Sequence, residues 1–141
     1  MTFSLKRKRI MEDYVSYEQS VKLKELGFNW ECNHFYDEDK ELIKYDFHQE
    51  FYDEELYADC ILAPTLSQVH KWLREVHHID INIDSVYHIL DTGDEIMYGL
   101  RISNQRTFQR EFYQNYNSYE EALSIGIDKA FELLNEKNNG N

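Results

Sequence analysis

Residues 63–83 have the sequence APTLSQVHKWLREVHHIDINI, which carries the signals of a capped helix followed by a half-buried strand. Pro64 disfavours helical backbone in the residue before it. Thr65 and Gln68 have the T-x-x-Q spacing of a capping box, in which each side chain binds the backbone N–H of the other residue. We therefore predict a helix that begins at Leu66.

The hydrophobic period changes within this stretch. The helical part has apolar residues three or four positions apart, as expected for one buried helix face: Leu66, Val69, Leu73 and Val76. The part after it has isoleucines that alternate with polar residues, as expected for a strand with one buried face: Ile79, Ile81 and Ile83. The change of period predicts the boundary between helix and strand.

Similar signals predict the elements on either side. Ser16 and Gln19 form a second capping box, and Gly27 followed by Phe28 is typical of a helix end, so a helix is predicted over residues 17–26. Alternating residues on either side of the polar segment 37–40 predict a hairpin within residues 30–47. For residues 48–59, a short helix and an irregular connection both remain open, as does whether this hairpin joins the main sheet.

The second half of the chain predicts a three-stranded antiparallel meander. Strand 79–89 is followed by the turn sequence DTGD at 91–94, a return strand over 96–102 and a third strand marked by Phe108 and Phe112. Ser118 and Glu121 form a third capping box, which begins an amphipathic helix that runs to about Leu134. The predicted fold class is α+β, with the order helix, β-hairpin, helix, meander and C-terminal helix packed on the sheet.

The length of 141 residues and the charge pattern define the predicted domain organisation. Lys6, Arg7, Lys8 and Arg9 are adjacent like charges, so we predict a flexible basic arm over residues 1–13. Residues 14–136 form a single α+β domain, since a chain of this length builds one core. Residues 137–141 are predicted to be a disordered tail.

The overall charge limits the class of partner. The chain carries a net charge of −12, and without the four charges of residues 6–9 the remainder carries −16. Nucleic acid is therefore an unfavourable partner, because phosphate binding depends on Lys and Arg. The sequence has no long apolar run and no signal-peptide core, and Cys32 and Cys60 form no C-x-x-C pair, so we expect a cytoplasmic protein with free thiols and no membrane partner.

The sequence contains no recognised catalytic or cofactor motif. It has no nucleophile elbow, no phosphate-binding loop, no dinucleotide fingerprint and no H-E-x-x-H. Cys32 and His34 are too few ligands for a zinc site, and the acidic segment 37–48 lacks the glycine and glutamate that a calcium-binding EF-hand loop requires. We therefore expect neither an enzyme nor a cofactor.

The densest candidate site is an acidic stretch interleaved with aromatic residues between positions 37 and 59. Carboxylates steer a basic partner and aromatic rings supply contact area, although these rings are equally compatible with a core position. The candidate interaction residues are Asp37, Glu38, Asp39, Glu50, Phe51, Tyr52, Asp53, Glu54 and Glu55. A DNA mimic that inhibits a basic partner is an alternative interpretation of the same stretch.

The order of elements over residues 65–134, and the spacing of Ser118, Ala122, Ala130 and Leu134, resembles the double-stranded RNA-binding domain. This resemblance implies an αβββα fold and binding to RNA. That family carries phosphate-binding lysines at the start of its last helix, whereas this chain has Tyr119, Glu120 and Glu121 there, which would repel phosphate. The alternative nucleic-acid surface consists of the basic arm with Arg101, Arg106 and Arg110.

Three further segments resemble small uncharacterised proteins encoded by gut bacteria and their prophages: SYEQSVKLKELGF, APTLSQVHKWLREVH and SYEEALSIGIDKAFELL. This resemblance implies a phage or mobile-element origin and assigns no site residue. The prediction from sequence is a non-enzymatic, acidic protein-interaction domain with an unknown protein partner, for which a basic protein is the candidate. The oligomeric state stays open, and an unpaired edge strand would permit a homodimer.

Overall fold

The computed structural model describes residues 13–44, 61–106 and 110–139, and these residues form a mixed α+β fold. The helices are α1 (Tyr17–Glu25), α2 (Leu66–His77) and α3 (Tyr119–Asn139). The strands are β1 (His34–Tyr36), β2 (Leu42–Lys44), β3 (Ile61–Leu62), β4 (Ile79–His88), β5 (Glu95–Asn104) and β6 (Arg110–Tyr116). Two antiparallel three-stranded sheets have the orders β2-β1-β3 and β4-β5-β6. The predicted fold class is confirmed.

Two of the three predicted capping boxes are complete. The Ser16 hydroxyl accepts from the backbone N–H of Gln19 at 3.1 Å, and the Gln19 side chain accepts from the N–H of Ser16 at 2.9 Å. Thr65 and Gln68 make the same pair of bonds at 3.1 and 2.9 Å. These bonds satisfy N–H groups that have no partner within the helix, and they place the starts of α1 and α2 where the sequence predicts them.

The predicted third capping box is only half formed. The hydroxyl of Ser118 accepts from the N–H of Glu121 at 3.0 Å, but the Glu121 carboxylate accepts from Asn117 instead, at 2.9 Å. The helix that follows is longer than predicted. It continues past Leu134 to Asn139.

The small sheet contains the predicted hairpin together with a strand that the sequence analysis did not identify. Strands β1 and β2 pair directly, and β3 pairs with the other side of β1 through Phe35↔Leu62 and Tyr36↔Ile61. The hairpin therefore belongs to a separate sheet and does not join the meander. A strand of two residues has no measurable period, so its sequence could not predict it.

The main core lies between the meander and helices α2 and α3. The buried residues of the sheet are Ile79, Ile81, Leu100 and Ile102, and the buried residues of the two helices include Val69, Leu73, Leu123, Ile127 and Ala130. One predicted core residue is wrong: Val76 is exposed in the last turn of α2, while Trp72 is buried. His78 follows at a left-handed φ of 58° and directs the chain straight into β4, so Val76 lies at the margin of the core.

Helix α1 is attached to the core at both ends. The buried Gln19 amide donates to the carbonyl and hydroxyl oxygens of Ser124 at 3.0 and 3.1 Å and to the carboxylate of Asp128 at 3.0 Å. At the other end Gly27 adopts a φ of 86°, and the N–H of Phe28 binds the carbonyl of Leu23 at 2.9 Å, as the sequence predicts. Hydrogen bonds from Gln19 therefore hold the start of α1 against α3, and the bond between Phe28 and Leu23 ends the helix.

Helix α3 approaches the sheet most closely at Gly126. A Cβ atom at this position would lie 2.8 Å from Leu100 Cδ1 and 2.9 Å from Ile81 Cγ2, both in the buried core. Contacts this short do not occur between real atoms, so a larger residue would force α3 and the sheet apart. The absence of a side chain at position 126 therefore sets the distance between the two layers.

We predict that Gly126→Ala destabilises the protein even though alanine is the better helix former. Overpacking costs about 1–3 kcal/mol and the gain in helix propensity returns about 0.5–1 kcal/mol, so we expect a net loss of about 1 kcal/mol, and at most about 2.5 kcal/mol, in urea unfolding. Gly99→Ala is the matched control, because its Cβ would meet its nearest atoms at 3.7 Å, an ordinary contact distance. A Gly126→Ala variant as stable as the native chain would contradict this close packing.

Candidate functional site

Strands β4 and β5 are longer than the elements that cover them. Helix α2 has 12 residues and strands β4 and β5 have 10 each. At about 1.5 Å and 3.3 Å per residue, the helix spans about 18 Å and each strand about 33 Å. Only His78 separates α2 from β4. Strand β4 therefore runs back alongside α2, and it continues about 15 Å beyond Leu66, the first residue of the helix.

The other covering elements also stop before the end of the hairpin. The pairing of β6 with β5 ends at Tyr116↔Tyr98. Helix α3 begins at the same level, since the rings of Tyr98 and Tyr119 meet edge to face at 6.5 Å. Beyond Tyr98 the described part of the chain continues as two strands, with the pairs Val86↔Met97, Tyr87↔Ile96 and His88↔Glu95. We call residues 86–97 the hairpin tip.

Large apolar side chains of the hairpin tip are exposed. Tyr87 and Ile96 are 59% and 57% exposed, and they form a cross-strand pair. They lie on the same side of the sheet as the buried pair Ile81↔Ile102 and the partly buried pair Ile83↔Leu100, because side chains alternate along a strand. The connecting loop adds Ile89 and Leu90, which are 81% and 44% exposed. The apolar face of the sheet therefore continues into solvent.

Acidic residues lie in the loop of the hairpin and on the opposite face of its strands. Asp84, Asp91, Asp94 and Glu95 are exposed at or beside the hairpin tip, and we call them the acidic rim. The Tyr87 hydroxyl donates a hydrogen bond to the Asp94 carboxylate, which raises the pKa of Tyr87 and holds its ring against the loop. Residues 86–97 include no lysine and no arginine. The hairpin tip therefore combines exposed apolar side chains with carboxylates, and His88 is its one basic residue.

The predicted acidic site lies partly within the described residues. Asp37 is a turn residue, since its carboxylate accepts from the backbone N–H groups of Asp39 and Glu41 at 2.9 Å each. Glu38 and Asp39 are exposed in the turn between β1 and β2. The remaining candidates lie outside the described residues: Glu50, Phe51, Tyr52, Asp53, Glu54 and Glu55. The described residues therefore show only a short acidic turn.

The predicted arginine surface has a mixed charge. Arg101 pairs with Asn82 in register, on the side of the sheet away from the helices. Asp80 and Asp84 lie two positions to either side of Asn82, within diagonal reach of Arg101. Arg106 is exposed in the turn after β5, and Arg110 pairs with Ser103 at the start of β6. Arg101 therefore lies on a face that also carries carboxylates, of which Asp80 accepts a hydrogen bond from Asn82 and lies close to His70.

The hairpin tip is not among the predicted sites, although the sequence contains a signal for it. Residues 79–89 were predicted as one strand with a tight turn at 91–94, whereas the paired strands end at His88 and Glu95 and leave residues 89–94 as a longer loop. Ile89 and Leu90 stand directly before the turn sequence, where polar residues are the rule. The predicted strand is also longer than the predicted helix before it, which indicates that the strand extends beyond the helix.

The described residues show two further features that bear on function. No three His, Cys, Asp or Glu side chains among them are grouped closely enough to hold a metal ion. Over the same ranges, no helix is sufficiently long and apolar to cross a membrane. Comparison with known proteins found no matching family model, no matching curated protein and no matching solved structure.

We predict opposite outcomes for two isoleucines on the same face of β5. Ile102 is buried and Ile96 is exposed, so Ile102→Ala removes core contacts and costs about 2–5 kcal/mol, as is usual for a buried Ile→Ala change. Ile96→Ala changes the free energy of unfolding by only about 0.5 kcal/mol, as surface substitutions do. Urea unfolding of the two variants measures the difference. Similar losses at both positions would show that the hairpin tip is part of the core.

Proposed function

We propose that this protein is a non-enzymatic interaction domain whose hairpin tip binds a partner protein. The partner surface is apolar at its centre and bordered by lysine and arginine. The observation that carries the proposal is the exposed pair Tyr87↔Ile96 beside Ile89 and Leu90, with the Asp94 carboxylate bonded to Tyr87 and the other residues of the acidic rim nearby. An apolar centre within a charged border is the usual arrangement of a protein interface.

The hairpin tip has the physical properties of a binding element. Neighbouring large apolar side chains that are exposed on a protein surface often mark a site where a partner binds. A hairpin already fixed by cross-strand pairing loses less conformational freedom on binding than an unfolded loop does. Tyr87 also belongs to a residue type that frequently dominates binding energies, because it offers a large rigid ring and a polar hydroxyl.

The charge of the tip supports a basic partner over a second copy of this chain. Two copies docked tip to tip would bring two acidic rims together, and each chain carries a net charge of −12. Like charges across an interface are repulsive, whereas a basic border on the partner would be attracted and would speed association. The same charges disfavour nucleic acid, and Glu120 and Glu121 add carboxylates at the start of α3.

We place the protein in a reducing compartment such as the cytoplasm. Cys32 is a buried free thiol, and burial raises its pKa, which keeps it protonated and unreactive. The alternative of a DNA mimic depends on residues 37–59, most of which lie outside the described ranges, and it stays a prediction.

The test is selection of random peptides on the full chain, followed by calorimetric titration of one selected peptide. We predict that the selected peptides combine aromatic or aliphatic residues with lysine or arginine. The double variant Tyr87→Ala/Ile96→Ala should bind such a peptide at least about tenfold more weakly, which corresponds to the loss of about 1.4 kcal/mol expected of central interface residues.

Val76→Ala is the matched control, because Val76 is an exposed apolar residue, 45% accessible, in the last turn of α2. Its Kd for the selected peptide should equal that of the native chain. Selected peptides without basic residues would contradict the proposed partner chemistry. Equal binding by the double variant would exclude the hairpin tip as the interface.

A further inference from the structure

The N-terminal segment of the chain has the chemistry that the hairpin tip requires of a partner. Residues 1–12 have the sequence MTFSLKRKRIME, in which four basic residues are flanked by Leu5 on one side and by Ile10 and Met11 on the other. This segment lies outside the described residues. Its basic charges are opposite in sign to the acidic rim, and its apolar residues match the exposed centre of the tip.

The chain enters the described structure close to the base of the hairpin tip. The carbonyl of Asp13 accepts from the N–H of Leu66 at 2.9 Å, and the N–H of Val15 donates to the carbonyl of Pro64 at 3.1 Å. An isolated bridge pairs Tyr14 with Thr65. Residue 13 is thereby fixed at the first turn of α2. This is the end of the helix beyond which β4 and β5 project.

The length of the segment is sufficient to reach the tip. Twelve residues extend to at most about 40 Å, at about 3.3 Å per residue. The hairpin projects only about 15 Å beyond the start of α2. The segment can therefore lie along the apolar face of the tip with its basic residues beside the acidic rim.

Other parts of the chain are poorer candidates for this position. Residues 45–60 contain aromatic residues, but they also contain six carboxylates and no lysine or arginine, so the acidic rim would repel them. A second copy of the tip carries the same acidic residues. Among the segments outside the described ranges, residues 1–12 alone combine apolar side chains with a run of positive charge.

We propose that residues 1–12 bind the hairpin tip of their own chain and compete with the partner protein. This proposal rests on the proposed function, because it identifies a regulator of the same surface. Tethering gives the segment an effective concentration of about 1 mM, so even an intrinsic Kd of about 0.1 mM would keep about nine tips in ten covered. Partner binding then requires displacement of the segment.

The test compares two full-chain variants by amide NMR. The arm variant replaces the four basic residues of the segment: Lys6→Gln, Arg7→Gln, Lys8→Gln and Arg9→Gln. The control variant removes the same amount of charge from the surfaces of α1 and α2: Lys22→Gln, Lys24→Gln, Lys71→Gln and Arg74→Gln. We predict that the amide signals of residues 86–97 shift in the arm variant and stay in place in the control variant.

Two additional readouts establish the identity of the contact. Salt should shift the same signals of the native chain in the same direction, because ions screen the attraction. A synthetic peptide of residues 1–12, added to the arm variant, should move the signals back towards their native positions. Unchanged signals in the arm variant, or equal shifts in the control variant, would overturn the proposal. Native shifts that depend on protein concentration would also overturn it, since they would indicate contact between two chains.

The peptide selected for the proposed function separates the two proposals. We predict that it binds the arm variant at least about threefold more tightly than the native chain, because the competitor is weakened. If the peptide binds the arm variant and the native chain with equal affinity, and still binds at the hairpin tip, the partner site stands and the competition by residues 1–12 is refuted. If the amide signals of the hairpin tip shift in the arm variant but no selected peptide binds the tip, the intramolecular contact is supported and the partner site is refuted.

Discussion

Helix α2 spans about 18 Å, while the strands it packs against span about 33 Å. This mismatch divides the meander into two parts. The inner part lies beneath α2 and α3, where Gly126 allows a close approach and Ile81, Leu100 and Ile102 are buried. The outer part has neither helix nor third strand within the described residues, and a two-stranded ribbon alone is only marginally stable in water. A single constraint of length thus creates both the core and the exposed surface.

The parts of the fold predicted from sequence are those specified by local chemistry. Capping pairs and a left-handed glycine determine helix ends through bonds between residues close in sequence, so α1 and the start of α2 were predicted correctly. The errors have a different origin. The burial of Trp72 in place of Val76, and the pairing of β3 with β1, depend on contacts with residues distant in sequence. Periodicity identifies the apolar face of a helix or strand, but it does not show how far along that face other elements pack.

The hairpin tip was not among the residues that the sequence predicted as a site. The net charge of −12 limits the class of partner but says nothing about the fold. Exposed acidic residues lie at and beside the hairpin tip. The alternation of Tyr87 and Ile96 looks identical to that of a core strand, because the sequence does not record which residues the helices reach. Exposure of these side chains is a property of the assembled layers, and it became visible only in the structure.

The most direct measurement of the uncovered surface is relaxation of methyl groups by a neutral paramagnetic probe dissolved with the full chain. The measurement is made at about 0.5 M salt, where charge contacts from the N-terminal segment are screened. We predict strong relaxation of the Ile89 and Ile96 methyl groups and weak relaxation of those of Ile81 and Ile102. Relaxation of Ile96 as weak as that of Ile102 would show that the outer hairpin is covered, and it would contradict the proposed interface.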